Sequence, residues 1–300
     1  MSRFADDIRR IAKQSKLKGG LAEQSARDAI GSRTVSIIGD PYSAMPSPTA
    51  EDNPPPAPYG VPIAPDEITG LTAWYDASDA ATITKSGADV SGWDDKSGNG
   101  NNLTNTGGFP QFITGGVSSV FPNDCIRFSN YAYLTRTADA ADYVGIHTHY
   151  AVALIQSRGI SGANETRSIF NLYKSATNGE MGFRIQHISA NSYLHAIHGE
   201  ESHVTSALSY TDTINQQLVE SYCTGTVLGA VQNGVSQGTS PYTTTYPVNF
   251  TGGKVELGLT WSALYELNIL ELVVYNVVPS ASDLAGLRNY FIAKRGQYGS

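Results

Sequence analysis

Short apolar or alternating runs, each of strand length and bounded by turn residues, recur between residues 67 and 300. Alternation with a period of two is typical of half-buried strands, and short continuous apolar runs are typical of fully buried ones. The runs are LTAWYD, CIRF, HYAVALIQ, RSIFNLY, GFRIQHI, SYLHAIH, QLVESYC, TVLGAVQNG, KVELGLT and NILELVVYN. Asn178-Gly179 and Asn233-Gly234 are typical of tight hairpins. This pattern predicts a mainly β fold, a two-sheet antiparallel jelly-roll sandwich.

The pattern predicts one helix near the carboxyl end, over residues 281–295. Pro279 precedes Ser280, whose hydroxyl can cap the helix together with Asp283 three residues later. An apolar stripe at helical spacing follows, and Gly296 marks the end. The stripe consists of Leu284, Leu287 and Phe291. We expect this helix to pack on the sandwich.

The first 40 residues show a different pattern, that of a basic amphipathic helix of about four turns. One stripe is apolar, and lysines and arginines occupy the other faces. The stripe consists of Phe4, Ile8, Ile11 and Leu17. So few apolar residues cannot form a core, and a helix this short is marginal alone in water. We expect it to dock on another protein in preference to its own β domain, and on either in preference to a membrane surface.

Residues 41–66 contain nine of the fourteen prolines in the chain. Proline restricts φ and removes a backbone donor, so this segment favours an extended polyproline II spacer, with a ligand for a proline-binding module as the alternative. The predicted organisation is therefore an anchor segment over 1–40, a linker over 41–66 and a β domain over 67–300.

Charge and apolar content exclude several classes of partner. The net charge is −7, and because residues 1–40 contribute +3, the remainder carries −10. A domain this acidic is not expected to bind nucleic acid, which requires a basic face. The sequence contains neither an apolar run long enough to span a membrane nor a secretory leader. Spacing does not show whether Cys125 and Cys223 pair, and two small buried hydrophobic residues are the favoured interpretation.

Two segments resemble a known family. LTAWYDASDAATITKSGADVSGWDDKSGNGNNLTN and LNILELVVYNVVPSASDLAGLRNYFIAKRG are similar to the opening and the ending of concanavalin A-like, laminin G-like jelly-roll domains. These domains occur in bacterial surface proteins and phage virion proteins. The hairpin TVLGAVQNGVSQG fits the same family, and the resemblance spans about 71–296. The scaffold serves lectins, glycan hydrolases and structural modules, so it implies a fold more specifically than a function.

An anchor helix, a proline-rich spacer and a lectin-like head together resemble phage decoration proteins, head fibres and tail fibres. This resemblance implies a protein of the virion surface, assembled in the host cytoplasm, that contacts other virion proteins through residues 1–40. Several copies or a homo-oligomer are expected, and host-surface polysaccharide is the expected ligand of the head. The alternatives are a purely structural virion protein and a bacterial carbohydrate-binding adhesion module.

The acidic residues favour structure over catalysis. Asp94 and Asp95 precede Ser97-Gly98-Asn99-Gly100, which is typical of a turn, and adjacent strand residues point to opposite faces. The alternative interpretation of Asp94 and Asp95 is a calcium site. No other cofactor is predicted. Asp76 and Asp79, at a strand end, are interpreted as backbone caps.

We predict that the protein is not an enzyme, and no catalytic residue is proposed. Glycan hydrolases of this fold place alternate carboxylates on one strand, and no Glu-x-Asp-x-Glu run occurs here. Glu271 matches the strand glutamate of the resembled family and is interpreted as structural. His147 and His149 share a strand face and could contribute to a zinc site. The favoured interpretation is that they are ordinary polar residues on a strand.

Sugar binding would use aromatic rings in loops. Eight residues are candidates: Tyr131, Tyr133, Tyr173, Tyr193, Tyr242, Tyr246, Trp261 and Tyr265. The loop TSPYTTTYPVNFTGG is aromatic, rich in hydroxyl groups and free of charge. The predicted carbohydrate-binding residues are Tyr242 and Tyr246, which lie in this loop, and Trp261, which follows it.

Overall fold

A computed structural model describes the β domain. It covers residues 61–115, 123–129, 131–137, 143, 148–158, 165–173, 180–188, 191–199, 201–208, 216–241, 253–259 and 266–295. The chain divides into two compact units, Met1–Ala57 and Pro58–Ser300, and every described residue belongs to the second. The predicted anchor residues Phe4, Ile8, Ile11 and Leu17 lie outside the described residues. The three-segment organisation therefore stays a prediction.

The described residues form strands β1 to β17 and helix α1. The strands are β1 (Leu71–Asp76), β2 (Ile83–Ser86), β3 (Asp89–Trp93), β4 (Leu103–Gly107), β5 (Gln111–Ile113), β6 (Cys125–Phe128), β7 (Tyr133–Thr137), β8 (Thr148–Arg158), β9 (Glu165–Tyr173), β10 (Glu180–Ile188), β11 (Asn191–Gly199), β12 (Glu201–Leu208), β13 (Gln217–Thr224), β14 (Val227–Gln232), β15 (Val235–Pro241), β16 (Lys254–Leu257) and β17 (Glu266–Tyr275). Helix α1 is Ala281–Arg295, and single 3-10 turns occupy Pro65–Glu67 and Ala80–Thr82.

The strands pair antiparallel throughout and form two sheets. In the first, called the helix-side sheet, β17 lies between β8 on one side and β1 and β6 on the other, and β13, β14 and β15 continue beyond β8. In the second, β2, β3, β4, β7, β16, β9, β10, β11 and β12 follow one another. A bridge between Asp89 of β3 and Gln111 of β5 joins the two sheets at one edge. The predicted jelly-roll-like sandwich is confirmed.

Alternation along β8 shows why the helix-side sheet is buried on both faces. Ala151, Ala153 and Ile155 belong to the core between the two sheets, whereas Val152 and Leu154 belong to a second apolar cluster on the opposite face. A strand that buries both faces has a continuous apolar sequence, as AVALI does. This explains why the longest apolar runs of the chain, in β8 and β17, lie at the centre of this sheet.

Helix α1 covers the outer face of the helix-side sheet. Its Leu287 and Phe291 are buried in the second cluster, as the stripe predicted. The Ser280 hydroxyl accepts a hydrogen bond from the backbone N–H of Asp283, 3.2 Å away, and donates one to its carboxylate, 2.8 Å away. The predicted bounds and cap are confirmed. None of the helices in the described part is long and apolar enough to cross a membrane.

The Asn233-Gly234 hairpin is also confirmed. Both residues have positive φ, 50° and 80°, which is the backbone of the two-residue turn expected from this dipeptide. The Asn233 side chain ties the turn to β13, since its Oδ1 accepts a hydrogen bond from the Leu218 N–H at 2.9 Å. Asn178-Gly179 lies outside the described residues.

Several elements were not among the predicted runs. The polar strands β2 to β5, β7 and β12 were missed because alternation of apolar and polar residues is weak in them, whereas β15 is the second strand of the predicted Asn233-Gly234 hairpin. Cys125 and Cys223 are both buried thiols, and they lie in different clusters on opposite faces of one sheet. Their interpretation as small buried hydrophobic residues is confirmed.

Candidate functional site

Asp95 organises the turn that follows β3. One of its carboxylate oxygens accepts hydrogen bonds from the backbone N–H groups of Trp74 and Ser97, both at 2.9 Å. The other accepts from the Ser97 hydroxyl at 2.7 Å and from the Asn101 N–H at 3.0 Å. Asp94 is exposed, so the two acids do not converge. The interpretation of this segment as a turn is confirmed.

The same turn fastens β1 to the rest of the fold. Asn99 donates from its side-chain amide to the carbonyl oxygen of Leu71 at 3.0 Å, and Asn101 donates to that of Thr72 at 2.6 Å. A carboxylate already surrounded by four donors offers little to a cation, which requires free oxygen ligands. Among the described residues, no group of three or more His, Cys, Asp or Glu is arranged to hold a metal ion.

A β-bulge in β17 places Glu271 beneath the helix. Its register against β8 shifts between Ile269 and Glu271, so both Leu270 and Glu271 face α1 while Leu272 returns to the core. Glu271 is fully buried. It accepts hydrogen bonds from Trp74 Nε1 and from the Tyr290 hydroxyl, both at 2.8 Å.

Lys294, in the last turn of α1, joins two buried carboxylates. Its ammonium group lies 3.2 Å from Glu271 Oε2 and also contacts Asp76 Oδ2. Lys96 reaches the same Asp76 oxygen at 3.1 Å and Asp79 at 3.0 Å. Burial alone lowers the pKa of Lys96, but hydrogen bonds and charge from Asp79 and Asp76 outweigh it, so its pKa is raised. Lys96 therefore stays charged beside the two aspartates.

Asp76 has the capping role that was predicted for it, whereas the Asp79 side chain caps no backbone group and pairs with Lys96 at 3.0 Å instead. Asp76 Oδ1 accepts from the Ser78 N–H at 3.0 Å and from the Ser78 hydroxyl at 2.7 Å, as a strand-end cap does. The structural interpretation of Glu271 is also confirmed. The ion pair with Lys294 was missed, because the partners are 218 and 23 residues apart along the chain.

A second ion pair attaches the middle of the helix to the sheet. Arg288 donates from Nε to Glu220 Oε1 at 2.8 Å and from Nη2 to Oε2 at 2.7 Å, a bidentate pairing. Glu220 lies on β13, is fully buried, and also accepts from the Tyr150 hydroxyl at 2.8 Å. Burial first, and then the charge of Glu220, raise the pKa of Tyr150, so its hydroxyl stays a donor. Sequence analysis did not identify this pair.

The histidines of the described part lie on four strands, β8, β10, β11 and β12. His149 is fully buried on β8, and its Nε2 lies 3.4 Å from the Ser221 hydroxyl. His187, His195, His198 and His203 are distributed over β10, β11 and β12. His147, the partner required for the zinc alternative, lies outside the described residues.

Two of the aromatic candidates lie beside a turn at one edge of the sandwich. Tyr131, 56% exposed, precedes β7, and the half-buried Tyr133 begins it. Tyr173 ends β9, and Tyr193 lies within β11. The predicted carbohydrate-binding residues Tyr242, Tyr246 and Trp261 lie outside the described residues, as does Tyr265.

Comparison with solved structures identifies a shared fold. The binding domain of botulinum neurotoxin DC, solved in complex with SialylT, matches with a TM-score of 0.53 and 12% identity, covering 75% of this chain and 52% of that one. The binding domain of Paraclostridial Mosquitocidal Protein 1 matches with a TM-score of 0.54 and 12% identity over 76% and 53% of the two chains. A botulinum neurotoxin type C structure matches with a TM-score of 0.52 and 13% identity over 73% and 51%.

The protein thus spans about half the length of the structures it matches. Identities this low establish the β-sandwich fold alone. No family model and no curated protein matches the sequence. Membership of the concanavalin A-like family therefore stays a prediction.

Proposed function

We propose that the β domain is a non-enzymatic carbohydrate-binding head that attaches to host-surface glycan. The observation that carries this proposal is the fold, which is similar to that of dedicated binding domains. One of those domains was solved with SialylT, and cell entry of neurotoxin type C depends on interaction with two ganglioside molecules. The proposal transfers the class of ligand, a glycan on a cell surface, and not the identity of the sugar.

The buried carboxylates support a role without catalysis. Glycoside hydrolysis requires two carboxyl groups that flank the scissile bond and act as acid, base or nucleophile. Asp76 and Glu271 both form ion pairs with Lys294, and Glu220 forms one with Arg288. Each of these carboxylates is therefore paired with a cationic side chain of α1. They attach the helix to the sheet and face no substrate cleft.

The proposed setting is the surface of a virus particle. In this proposal residues 1–40 bind other virion proteins through Phe4, Ile8, Ile11 and Leu17, and the proline-rich segment holds the head away from the particle. An extended spacer rises about 3.1 Å per residue, enough to place the head tens of ångströms outward. Several copies on one particle would raise the avidity of a weak single site.

Binding is tested with the full chain displayed in multiple copies on beads. The beads are applied to host cells and to an array of neutral, sialylated and uronic-acid-containing oligosaccharides. Retention that free oligosaccharide competes away is expected. Blank results on both the cells and the array, with and without calcium, contradict the carbohydrate-binding proposal and favour a purely structural role.

The anchor is tested separately by deleting residues 1–40. Incorporation into particles is expected to be lost, while the far-UV circular dichroism of the β domain is retained. A truncated protein that joins particles at full occupancy contradicts the anchoring proposal. Light scattering of the isolated full chain then shows whether it self-associates without the particle.

A further inference from the structure

Two exposed aromatic residues lie close together in the fold, one just after β4 and the other just before β7. Among the described residues, the exposed large hydrophobic side chains are Val61, Phe109, Tyr131, Val235 and Val277. Phe109 is 62% exposed and Tyr131 is 56% exposed. The pairing of β4 with β7 ends with Gly107 opposite Tyr133, and the next residues, Gly108 and Ala132, also lie against each other, so Phe109 and Tyr131 follow on adjacent segments. The two aromatic residues of this set are therefore neighbours in the fold.

The backbone around Phe109 is held in place on both sides. The Gly107 N–H donates to Asn105 Oδ1 at 2.9 Å, and the Val90 N–H donates to the carbonyl oxygen of Pro110 at 2.8 Å. Gly108, with φ +63°, lies against the backbone of Ala132, and a Cβ there would meet Ala132 Cα at 3.0 Å. Phe109 is thus displayed from a well-ordered backbone, so little entropy is lost when its ring is contacted.

Tyr131 occupies a backbone conformation that tyrosine rarely adopts. The Ala132 N–H donates to the carbonyl oxygen of Ser129 at 2.9 Å, which closes a four-residue turn. Tyr131 is the third residue of that turn and has φ 61°, a position that favours glycine or asparagine. Strained residues of this kind concentrate at functional sites. Since the ring is exposed and packs in no core, folding alone does not explain a tyrosine here.

Tyr133 adds a third ring beside the pair. Its ring edge lies over Gly107, where a Cβ would be 3.1 Å from Cε1 and 3.3 Å from the hydroxyl. Because Gly107 has no Cβ, the Tyr133 ring can lie directly against its backbone. The hydroxyl of Tyr133 and that of the exposed Thr106 are suited to hydrogen bonding at the border of an apolar surface.

The two chain segments that carry these rings contain no charged residue, although Asp89 pairs with Gln111 and Lys85 lies over the ring of Phe112. Residues 102–115 and 129–135 contain no Asp, Glu, Lys or Arg, although residues 41–300 carry −10 overall. A neutral aromatic surface with hydroxyl groups at its border matches the apolar face of a sugar ring and its equatorial hydroxyls, because the electron-rich ring face attracts C–H groups. Because neither range contains a lysine or arginine to pair with a carboxylate, an uncharged sugar is favoured over an acidic one.

We propose that Phe109, Tyr131 and Tyr133 form an aromatic platform that binds an uncharged sugar ring. This inference rests on the carbohydrate binding proposed above and assigns it to the segments where β4 ends and β7 begins, in place of the loop that contains Tyr242 and Tyr246. The specificity it predicts is for neutral hexose-containing glycan over sialylated or uronic-acid-containing glycan.

The test uses the full chain on an array of neutral and acidic oligosaccharides. Tyr131→Gly removes the ring and suits the positive φ, so retention on neutral glycans should fall about tenfold while the melting temperature does not fall. Phe109→Ala should produce a similar loss. Val235→Ala, an exposed apolar truncation on β15 away from the platform, is the matched control and should change neither quantity.

Other results would overturn the inference in distinguishable ways. If the unaltered chain is retained and only Tyr242→Ala or Trp261→Ala weakens it, the platform is wrong and the carbohydrate-binding proposal stands. Preferential retention on acidic glycans also contradicts the platform. If Tyr131→Gly changes the oligomeric state in light scattering instead of glycan retention, a second copy of the chain covers this surface. A chain that binds no glycan overturns both proposals together.

Discussion

Lys294 lies 3.2 Å from both carboxylate oxygens of Glu271, so the last turn of α1 is bound to the central strand of the helix-side sheet. Trp74 and Tyr290 donate to the same carboxylate, and Asp76 shares the lysine. Apolar packing alone is not directional and does not fix where an amphipathic helix lies on a sheet. The hydrogen bonds and ion pairs of this cluster are directional, so they hold α1 at one position.

Replacing Lys294 with methionine should destabilise the β domain by about 3 kcal/mol, because removing one partner of a buried ion pair leaves an uncompensated charge. The measurement is the free energy of unfolding in urea. Lys254→Met removes an exposed lysine on β16 and should change that free energy by less than about 0.5 kcal/mol. Equal effects of the two substitutions would show that the cluster adds nothing to stability.

Arg288→Lys tests the bidentate pairing with Glu220. Lysine keeps the charge but cannot donate two parallel hydrogen bonds, so a loss of about 1–3 kcal/mol is expected. A double-mutant cycle with Glu220→Gln measures the coupling between the two side chains directly. Additive effects of the two substitutions contradict the pairing as a stabilising contact.

Asp95→Asn should weaken the turn after β3. The amide replaces one acceptor oxygen with a donor, which then faces an N–H or O–H group that previously donated to the carboxylate. A loss of about 2 kcal/mol in the free energy of unfolding is expected. Asp94→Asn, at the exposed neighbouring position, is the matched control. A loss at Asp94 that equals the loss at Asp95 would be inconsistent with this account.

Calcium should not stabilise the described part of the β domain through this turn. Both oxygens of Asp95 already accept hydrogen bonds, so a cation would have to displace four donors. Thermal unfolding should therefore be the same in excess calcium and in excess chelator. A calcium-dependent rise in the melting temperature that Asp95→Asn abolishes would reverse this conclusion.

Stability should fall at high pH because buried tyrosines must ionise on unfolding. Burial raises the pKa of Tyr143 from about 10 to about 12. A raised pKa in the folded state gives stability that is complete below pH about 10 and is lost as pH rises through about 12. The free energy of unfolding should fall by up to about 1.4 kcal/mol per pH unit for such a tyrosine.

Tyr143→Phe tests how much the ionisation of Tyr143 contributes to the loss of stability at high pH. The substitution removes the ionisable group but also a hydrogen bond to the Tyr75 hydroxyl at 2.9 Å, so the slope against pH is compared, not the absolute stability. Urea unfolding between pH about 9 and about 12 should show a shallower slope for the variant. Identical slopes would mean that Tyr143 does not ionise on unfolding in this range.

Local features of the fold were predictable from the sequence because their causes lie within a few residues. The cap at Ser280, the stripe of Leu287 and Phe291, and the Asn233-Gly234 turn depend on spacings of one to seven residues. The same holds for the bonds of Asp95 to Ser97 and Asn101 within GWDDKSGNGNN, whereas its bond to the Trp74 N–H joins the turn to a distant strand. Strands such as β1 and β6 matched their predicted runs because burial imposes the pattern directly.

Contacts between distant segments were decided by the tertiary structure. Lys294 and Asp76 are 218 residues apart, and Arg288 and Glu220 are 68 apart, so no local periodicity identifies them as pairs. The bulge after Ile269 turns Glu271 toward the helix, although regular alternation would place it on the same face as Ile269.

The aromatic platform of Phe109, Tyr131 and Tyr133 likewise depends on the tertiary structure. Phe109 and Tyr131 have the residue types of core positions, and the sequence alone does not show that both rings are exposed or that the pairing of β4 with β7 brings their segments together. The sequence by itself determined which segments become strands, turns and helix, because those choices depend on neighbouring residues. Which side chains meet, and which remain exposed, was decided only when the sheets paired, because burial depends on the whole fold.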